Sequence, residues 1–380
     1  MPSSHLQAFI DEFSGEEPVT VDPGQVLAML HQLPDPRARR GVRHRFAHLL
    51  VIMLCSVLAG SKTLVEMAEW ATDTARQQLE PWGIGTPHAT TLARIFQRQD
   101  ADRLDELASL WAQADIAPIA IAVDGKEVRG AKNGGQPRVH LLSGIDQDSG
   151  AVLAQVSVSH KTNEITCFST LMDRIENLSG VVVTADALHT QVCHANYLNE
   201  RGAYFILTVK GNQPTHLAKL EAIPWKRVPV RDKTTGTANG REIIRIVKCA
   251  TLAEGIGFPH AVQAVQITRK SRTVGTKKWF IETVHAVTSI PTHKGTPAQI
   301  GAWVRGHWSI ENGLRWRRDV TWNEDKSQVR TGHAPRVMAT LRNIAITILK
   351  QLGHNNVAKA TRKIRNYPEQ ALELIGFNAP

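Results

Sequence analysis

Two apolar runs end on an aspartate, Pro118-Ile119-Ala120-Ile121-Ala122-Val123-Asp124 and Val181-Val182-Val183-Thr184-Ala185-Asp186. The spacing from Asp124 to Asp186 is 62 residues, and a helical Trp308-Ser309-Ile310-Glu311-Asn312 places Glu311 125 residues further on. If the two runs are neighbouring buried strands, their carboxylates lie side by side at one sheet edge, where a helix adds the third. Three converging carboxylates suit a pair of Mg²⁺ ions, with Mn²⁺ able to substitute: hard cations take oxygen ligands and need positions left open for water and phosphate oxygens. That combination points to metal-dependent chemistry on a phosphodiester. Each residue also has an ordinary reading: Asp124-Gly125 as a turn pair, Asp186 as a helix N-cap, Glu311 as a solvated helix position.

The elements that must position these residues follow from periodicity. Residues 1–24 are acidic and aperiodic, a lead-in. Residues 25–113 carry helical spacing and read as a separable helical, DNA-binding domain with Arg37 to Arg45 as its basic edge; Pro87 to Arg94 reads as a turn and N-cap feeding a short helix, compatible with a helix-turn-helix and also with a plain helical bundle. The period changes near Ile116. Strands are expected at Ile119–Asp124, Arg138–Ile145 and Ala151–His160, the last two a hairpin around Asp146-Gln147-Asp148-Ser149-Gly150. A helix over Ile165–Leu178, a strand at Val181–Asp186, a helix at Gln191–Glu200 and a strand at Tyr204–Lys210 complete residues 114–213. This order describes an α/β fold, a ribonuclease H-like mixed sheet flanked by helices, whose two aspartate strands are apolar on both faces as central strands are. Residues 214–296 read as a β-rich insertion, with strands at Arg241–Ala250, Ala261–Arg269 and Lys278–Ser289 and polar turns such as Thr234-Thr235-Gly236. Residues 297–352 return to helix (Ala298–Arg318 and Ala334–Leu352), and 353–380 form a basic tail.

Composition favours a polyanionic partner. The 380 residues hold 45 Lys+Arg against 35 Asp+Glu, a formal charge of +10, which attracts nucleic acid through counterion release. Gly301 to Asn366 contains 13 basic residues against 4 acids, 13 − 4 = +9. A second concentration is Arg37, Arg39, Arg40, Arg43 and Arg45. Either run alone could be a solvated surface. The four cysteines match neither zinc spacing nor a disulfide framework and read as reduced. The longest apolar stretch, Phe46 to Ala59, is broken by His48 and too short to span a bilayer, and no signal peptide opens the chain. Gly60-Ser61-Lys62-Thr63 resembles the end of a phosphate loop, but Ser56 stands where the first glycine belongs, so ATP use is not indicated.

With these segments in order, the chain resembles insertion-sequence transposases of the DDE, ribonuclease H-like class, specifically the H-repeat-associated (ISAs-type) family. The resemblance runs from about Leu33 to Leu352. It rests on Asp35-Pro36-Arg37 with Arg43-His44, Ala122-Val123-Asp124-Gly125-Lys126, Ala185-Asp186-Ala187-Leu188-His189-Thr190-Gln191, Lys210-Gly211-Asn212-Gln213, and Arg305-Gly306-His307-Trp308-Ser309-Ile310-Glu311-Asn312-Gly313-Leu314 with Asp319-Val320 and Glu324-Asp325.

The resemblance implies that Asp124, Asp186 and Glu311 bind two Mg²⁺ ions about 3.5–4 Å apart, used to cut the element's end and join its 3′ hydroxyl to target DNA. It also implies double-stranded DNA as partner, at the terminal inverted repeats and the target, a homodimer when synapsed, and a bacterial cytoplasmic, nucleoid-associated location. Candidate DNA contacts are Arg37, Arg39, Arg40, Arg43, Arg45, Lys126, Lys210, Asn212, Arg305, His307, Arg315 and Arg318. Asn312, Asp319 and Asp325 are candidates to support the triad, while Asp319, Glu324 and Asp325 read more simply as helix-surface charges. Many relatives place a tyrosine seven and an arginine four residues before the glutamate, and a lysine seven after it; here Val304, His307 and Arg318 stand there. Arg318 is the expected replacement for the lysine as a phosphate contact. His307 is expected to pack or touch phosphate, since imidazole suits Zn²⁺ or Cu²⁺ better than Mg²⁺. Trp303, Trp308, Trp316 and Trp322 fit core packing, with base stacking as the alternative. Competing functions are a domesticated or inactive DNA-binding relative, and a nuclease that cuts without joining.

Overall fold

The two apolar runs form neighbouring parallel strands. A computed structural model describes residues 23–40, 42–131, 139–159, 163–252 and 256–377, and for residues 23–24 and 309–312 the backbone alone. The lead-in expected at 1–24 lies almost wholly outside the described residues. The chain divides into two compact units, Pro118–Glu127 with Val139–Arg315, and Met1–Ala117 with Val128–Arg138 and Trp316–Pro380.

The first unit is built on one mixed sheet of nine strands: β1 (Ala120–Val128), β2 (Val139–Asp146), β3 (Val152–Val158), β4 (Val182–Ala185), β5 (Tyr204–Val209), β6 (Asp232–Ala238), β7 (Arg241–Thr251), β8 (Gln263–Thr273) and β9 (Phe280–Thr288). Their order is β3-β2-β1-β4-β5-β9-β8-β7-β6. The β3-β2-β1-β4-β5 half has the expected ribonuclease H-like arrangement, with β1, β4 and β5 parallel and β2-β3 antiparallel. The expected insertion is not separate from this sheet. Its strand β9 pairs with β5 from Ile206↔Thr288 to Val209↔His285 and carries β8, β7 and β6 outward.

Strand alternation decides what covers each face. Ala120, Val182, Ile206, Ala286, Ile267, Val265 and Val247 form one apolar patch, and Ile300 and Val304 of the Pro297–Ile310 helix pack on it, with Trp303 and Trp308 at its margin. The glutamate-bearing segment is therefore held across the centre of the sheet by burial of its own apolar stripe. Ile121 and Gly144 face the Glu164–Asp173 helix and Ile175 from the other side.

Several boundaries differ from expectation. Strand β1 continues through Asp124 to Val128, so the aspartate lies inside a strand rather than ending one. Thr234-Thr235-Gly236 is not a turn but part of β6. The turn is Asn239-Gly240, with φ of 50° and 70°, the left-handed pair that tight hairpins favour. The expected continuous helix 298–318 is interrupted by a π-turn at Glu311–Arg315 before resuming at Trp316–Thr321.

The second unit is helical. Leu49 to Leu58 of the Phe46–Leu58 helix and Ala334 to Leu349 of the Ala334–Gln351 helix are buried throughout, and the two helices pack together. The first is apolar almost all round, as a core helix is, whereas the second also buries Arg336, Arg342 and Asn343. No helix among the described residues is long and apolar enough to cross a membrane. Within the expected basic tail, residues 353–377 are largely helical: Val357–Asn366 and Pro368–Glu373 are helices, and Val357, Ile364, Leu372 and Ile375 are buried.

Candidate active site

Register builds the site. Val123 pairs with Ala185, so the next residues, Asp124 and Asp186, stand abreast on the sheet face that the Pro297–Ile310 helix covers. Asp186 is exposed and its Oδ1 accepts from Leu188 N at 2.9 Å, starting a short turn. It therefore caps that turn and not the Val192–Glu200 helix that follows, which starts after Gln191. Asp124 is largely enclosed, and burial pushes its carboxyl up to about 6, against the lowering effect of Arg315 and with a smaller push from the charges of Asp186 and Glu164. Arg315 donates to Asp124 Oδ1 and to the Gly125 carbonyl. Asp124 Oδ2 is buried and has no hydrogen-bond partner among the described residues.

Behind Asp124 lies a carboxylate that periodicity did not single out. Glu164 begins the Glu164–Asp173 helix, capped by Asn163, whose side chain accepts from Thr166 N. Its Oε1 accepts from His140 Nε2 at 2.7 Å and its Oε2 from His189 Nε2 at 3.3 Å. Burial raises its carboxyl, but the two imidazole hydrogen bonds outweigh that and bring it to about 2. A Cβ at Gly125 would run into this carboxylate, which is why the residue after Asp124 is glycine. The available signal was Asn163-Glu164, an N-cap followed by an acid, yet that pattern opens many helices.

His307 sits on the other side of the pair. Its Nδ1 lies 3.3 Å from Thr184 Oγ1. Burial lowers its pKa to about 4, so the ring is neutral at physiological pH despite the nearby Asp186 charge. Glu311 is one helical turn further along the backbone, at the start of the π-turn; its side chain and that of Asn312 lie outside the described residues. Among the described residues no group of three or more His, Cys, Asp or Glu side chains is placed to hold a metal. The Asp124–Asp186 pair nevertheless suits a divalent ion: the donors are carboxylate oxygens, one of them buried and unpaired, and hard cations take oxygen.

The other candidates divide. Arg37 is tied to Asp35 at 2.8 Å, whereas Arg39, Arg40, Arg43 and Arg45 are exposed. Lys126 is half-buried on β1. Lys210 and Asn212 follow β5, with Asn212 Nδ2 donating to the Ala187 carbonyl at 2.6 Å. Arg305 lies near Asp232 at 3.8 Å. Asp319 and Asp325 belong to the helical unit, where Asp325 lies 3.8 Å from Arg129. Arg318 overturns its expectation. It is fully buried, paired with Glu324 at 2.9 Å, with Asn343 Oδ1 at 3.3 Å and Arg342 sharing the same glutamate, so it cannot reach a phosphate. Arg336 is likewise buried on Asp105 at 2.7 Å, so part of the basic C-terminal stretch is internal. Among the tryptophans, Trp322 is fully buried and donates to the Val57 carbonyl, while Trp316 is exposed.

A sheet that sets two aspartates abreast on the face covered by a glutamate-bearing helix has the layout expected of a DDE-type transferase. The family described as Transposase DDE domain matches residues 116–348, and the DDE_Tnp_1-associated family matches 27–112; the chain belongs to the DDE transposase family. It is 28% identical over 337 residues to "H repeat-associated putative transposase YhhI" of Escherichia coli K12, covering 83% of this chain and 88% of that protein. It is 26% identical over 351 residues to "Putative transposase YncI" of Escherichia coli O157:H7, covering 86% and 87%. Among solved structures it is similar to the piggyBac transposase synaptic complex with hairpin DNA, at a TM-score of 0.48 and 9% identity, over 97% of this chain and 80% of that one.

Proposed function

We propose that this chain is an active transposase that cuts the ends of an insertion sequence and joins them to target DNA, using Mg²⁺ held by Asp124, Asp186 and Glu311. The observation that carries this reading is the register that sets Asp124 beside Asp186 with the Asp124 Oδ2 buried and unpaired. Two bound ions would supply Lewis acidity at the attacking and leaving oxygens of the phosphodiester. The chain's own residues set up that role. Glu164 and Gly125 fix the strand position of Asp124, and neutral His307 lines the Asp186 side without adding charge. Arg315 neutralises Asp124 in the metal-free protein and is placed to move onto a phosphate when a cation takes over the carboxylate. Exposed Arg39, Arg40, Arg43 and Arg45 supply duplex attraction from the helical unit, and paired DNA ends imply a second copy of the chain. No step calls for ATP.

The test is cleavage of duplex carrying the element's own end in Mg²⁺. Asp124→Asn, Asp186→Asn and Glu311→Gln should each abolish cleavage, because an amide replaces a carboxylate ligand poorly, while duplex affinity persists. Wild-type cleavage by any one of them removes that residue from the triad. Binding by the wild-type chain with no cleavage in Mg²⁺ or Mn²⁺ favours the inactive DNA-binding relative instead.

A further inference from the structure

Beside Asp186 the sheet opens into a cleft of about 500 Å³ whose lining includes Lys210, Arg245, Arg269, Glu282 and Arg305. That volume is within the ordinary range for a ligand site, roughly 300–1,000 Å³. Arg245 on β7 stands directly opposite Arg269 on β8, which stands opposite Glu282 on β9. Residues in register share a face, so the strands of the residue 214–296 segment aim two arginines under the helix that brings Arg305. Four cationic side chains thus face two carboxylates, Asp186 and Glu282. Among the described residues no carboxylate forms a salt bridge with Arg245 or Arg269, and Arg305 has only the 3.8 Å approach to Asp232. Arg245 Nε, Arg269 Nε and one Arg305 terminal nitrogen are buried with no hydrogen-bond partner among the described residues. Burial, and then the charges of Arg269 and Arg305, lower the pKa of Arg245.

Gathering four cations around fewer carboxylates, with buried guanidinium nitrogens left unpaired, costs stability, so such a cluster marks a site whose partner arrives from outside. Guanidinium forks match the paired oxygens of a phosphate. We propose that Arg245, Arg269 and Arg305, with Lys210, form a clamp for backbone phosphate of the DNA strand that runs past Asp186. The proposal rests on the transposase reading and adds the expectation that the β6–β9 strands hold the strand next to the metal-binding carboxylates.

The experiment uses the full chain and a fluorescein-labelled duplex of arbitrary sequence, with anisotropy followed across NaCl concentrations. The Arg245→Gln/Arg269→Gln double variant should bind about tenfold more weakly at about 0.1 M salt, with a slope of log K against log [salt] shallower by about 2, one contact per arginine. Lys277→Gln/Lys278→Gln removes the same charge from the exposed loop before β9 and should leave the slope near wild type. Equal losses in both double variants mean bulk charge alone and overturn the clamp, as does wild-type slope in the cleft variant. A wild-type chain that binds no duplex at low salt overturns the transposase reading instead. Should the cleft variant not fold, phenylglyoxal labelling of the wild-type chain decides. Duplex must shield Arg245 and Arg269, and failure to do so sinks the proposal. Inorganic phosphate at equal phosphorus concentration must shield them less, since equal shielding identifies a free-phosphate site rather than a backbone clamp.

Discussion

Asp124 and Glu164 carry shifts of opposite sign, and that opposition is measurable in the metal-free protein. The Asp124 carboxyl is raised from 3.8 to about 6, so its ionisation opposes folding: the stabilising, protonated state is complete below the unfolded value and is lost as pH rises through about 6. Glu164 is lowered from 4.5 to about 2, so its contribution is present above the unfolded value and is lost as pH falls toward 2. With chelator at neutral pH, Asp124→Asn should raise stability by on the order of 2–3 kcal/mol and Glu164→Gln should lower it by a similar amount, at 1.36 kcal/mol per pKa unit. Denaturant melts at pH 7.5 and pH 4.5 check both, and the gain from Asp124→Asn should shrink at the lower pH. Added Mg²⁺ should stabilise the wild-type chain more than Asp124→Asn, since a ligand stabilises the state that binds it. The aspartates were legible because each ends an apolar run, a pattern with a structural cause. Glu164 was not, because its importance comes from His140 and His189, which only the fold brings to it.

At the scale of elements, the sequence announced the strands of the core and their order, because two-residue alternation and apolar runs are local signals. It did not announce the π-turn. A π-turn takes one residue more than an α-turn, so the seven-residue spacing from Glu311 to Arg318 no longer returns to the same face, and Arg318 enters the helical unit's core. The expected role therefore gives way to a structural one. Arg318 and Arg342 share Glu324, and Asn343 lies beside them. Removing one member of a buried ion cluster leaves uncompensated charge and costs about 3–5 kcal/mol. Arg318→Ala and Glu324→Ala should each lower the thermal midpoint by many degrees, with loss of activity following loss of fold. A calorimetric scan of Arg318→Ala that overlays wild type, with cleavage impaired, would restore the phosphate-contact reading.

For the whole molecule, the decisive feature is that the helical unit is assembled from distant parts of the chain. The chain passes from this unit to the sheet near Ala117, returns for Val128–Arg138, leaves again, and comes back at Trp316. Composition and periodicity could not show this, since helical spacing says which face is apolar and not what covers it. The consequence concerns a fragment ending near Gln113, which the sequence alone recommends as a separable DNA-binding domain. Its Phe46–Leu58 helix packs on Ala334–Gln351, whose Val337, Met338, Leu341, Ile344, Ile346, Ile348 and Leu349 are all buried. At roughly 1.5–3 kcal/mol for each such side chain, that one helix contributes burial of roughly 10–20 kcal/mol. The net stability of a domain is only about 5–15 kcal/mol, and in the fragment the Leu49–Leu58 run loses that cover, so its fold should not persist. Residues 1–113 alone should show no cooperative melt by circular dichroism. Co-expression with residues 316–380 should restore one, together with salt-dependent duplex binding through Arg39, Arg40, Arg43 and Arg45. A sharp thermal transition in the 1–113 fragment by itself would show that the C-terminal helices decorate this core rather than complete it.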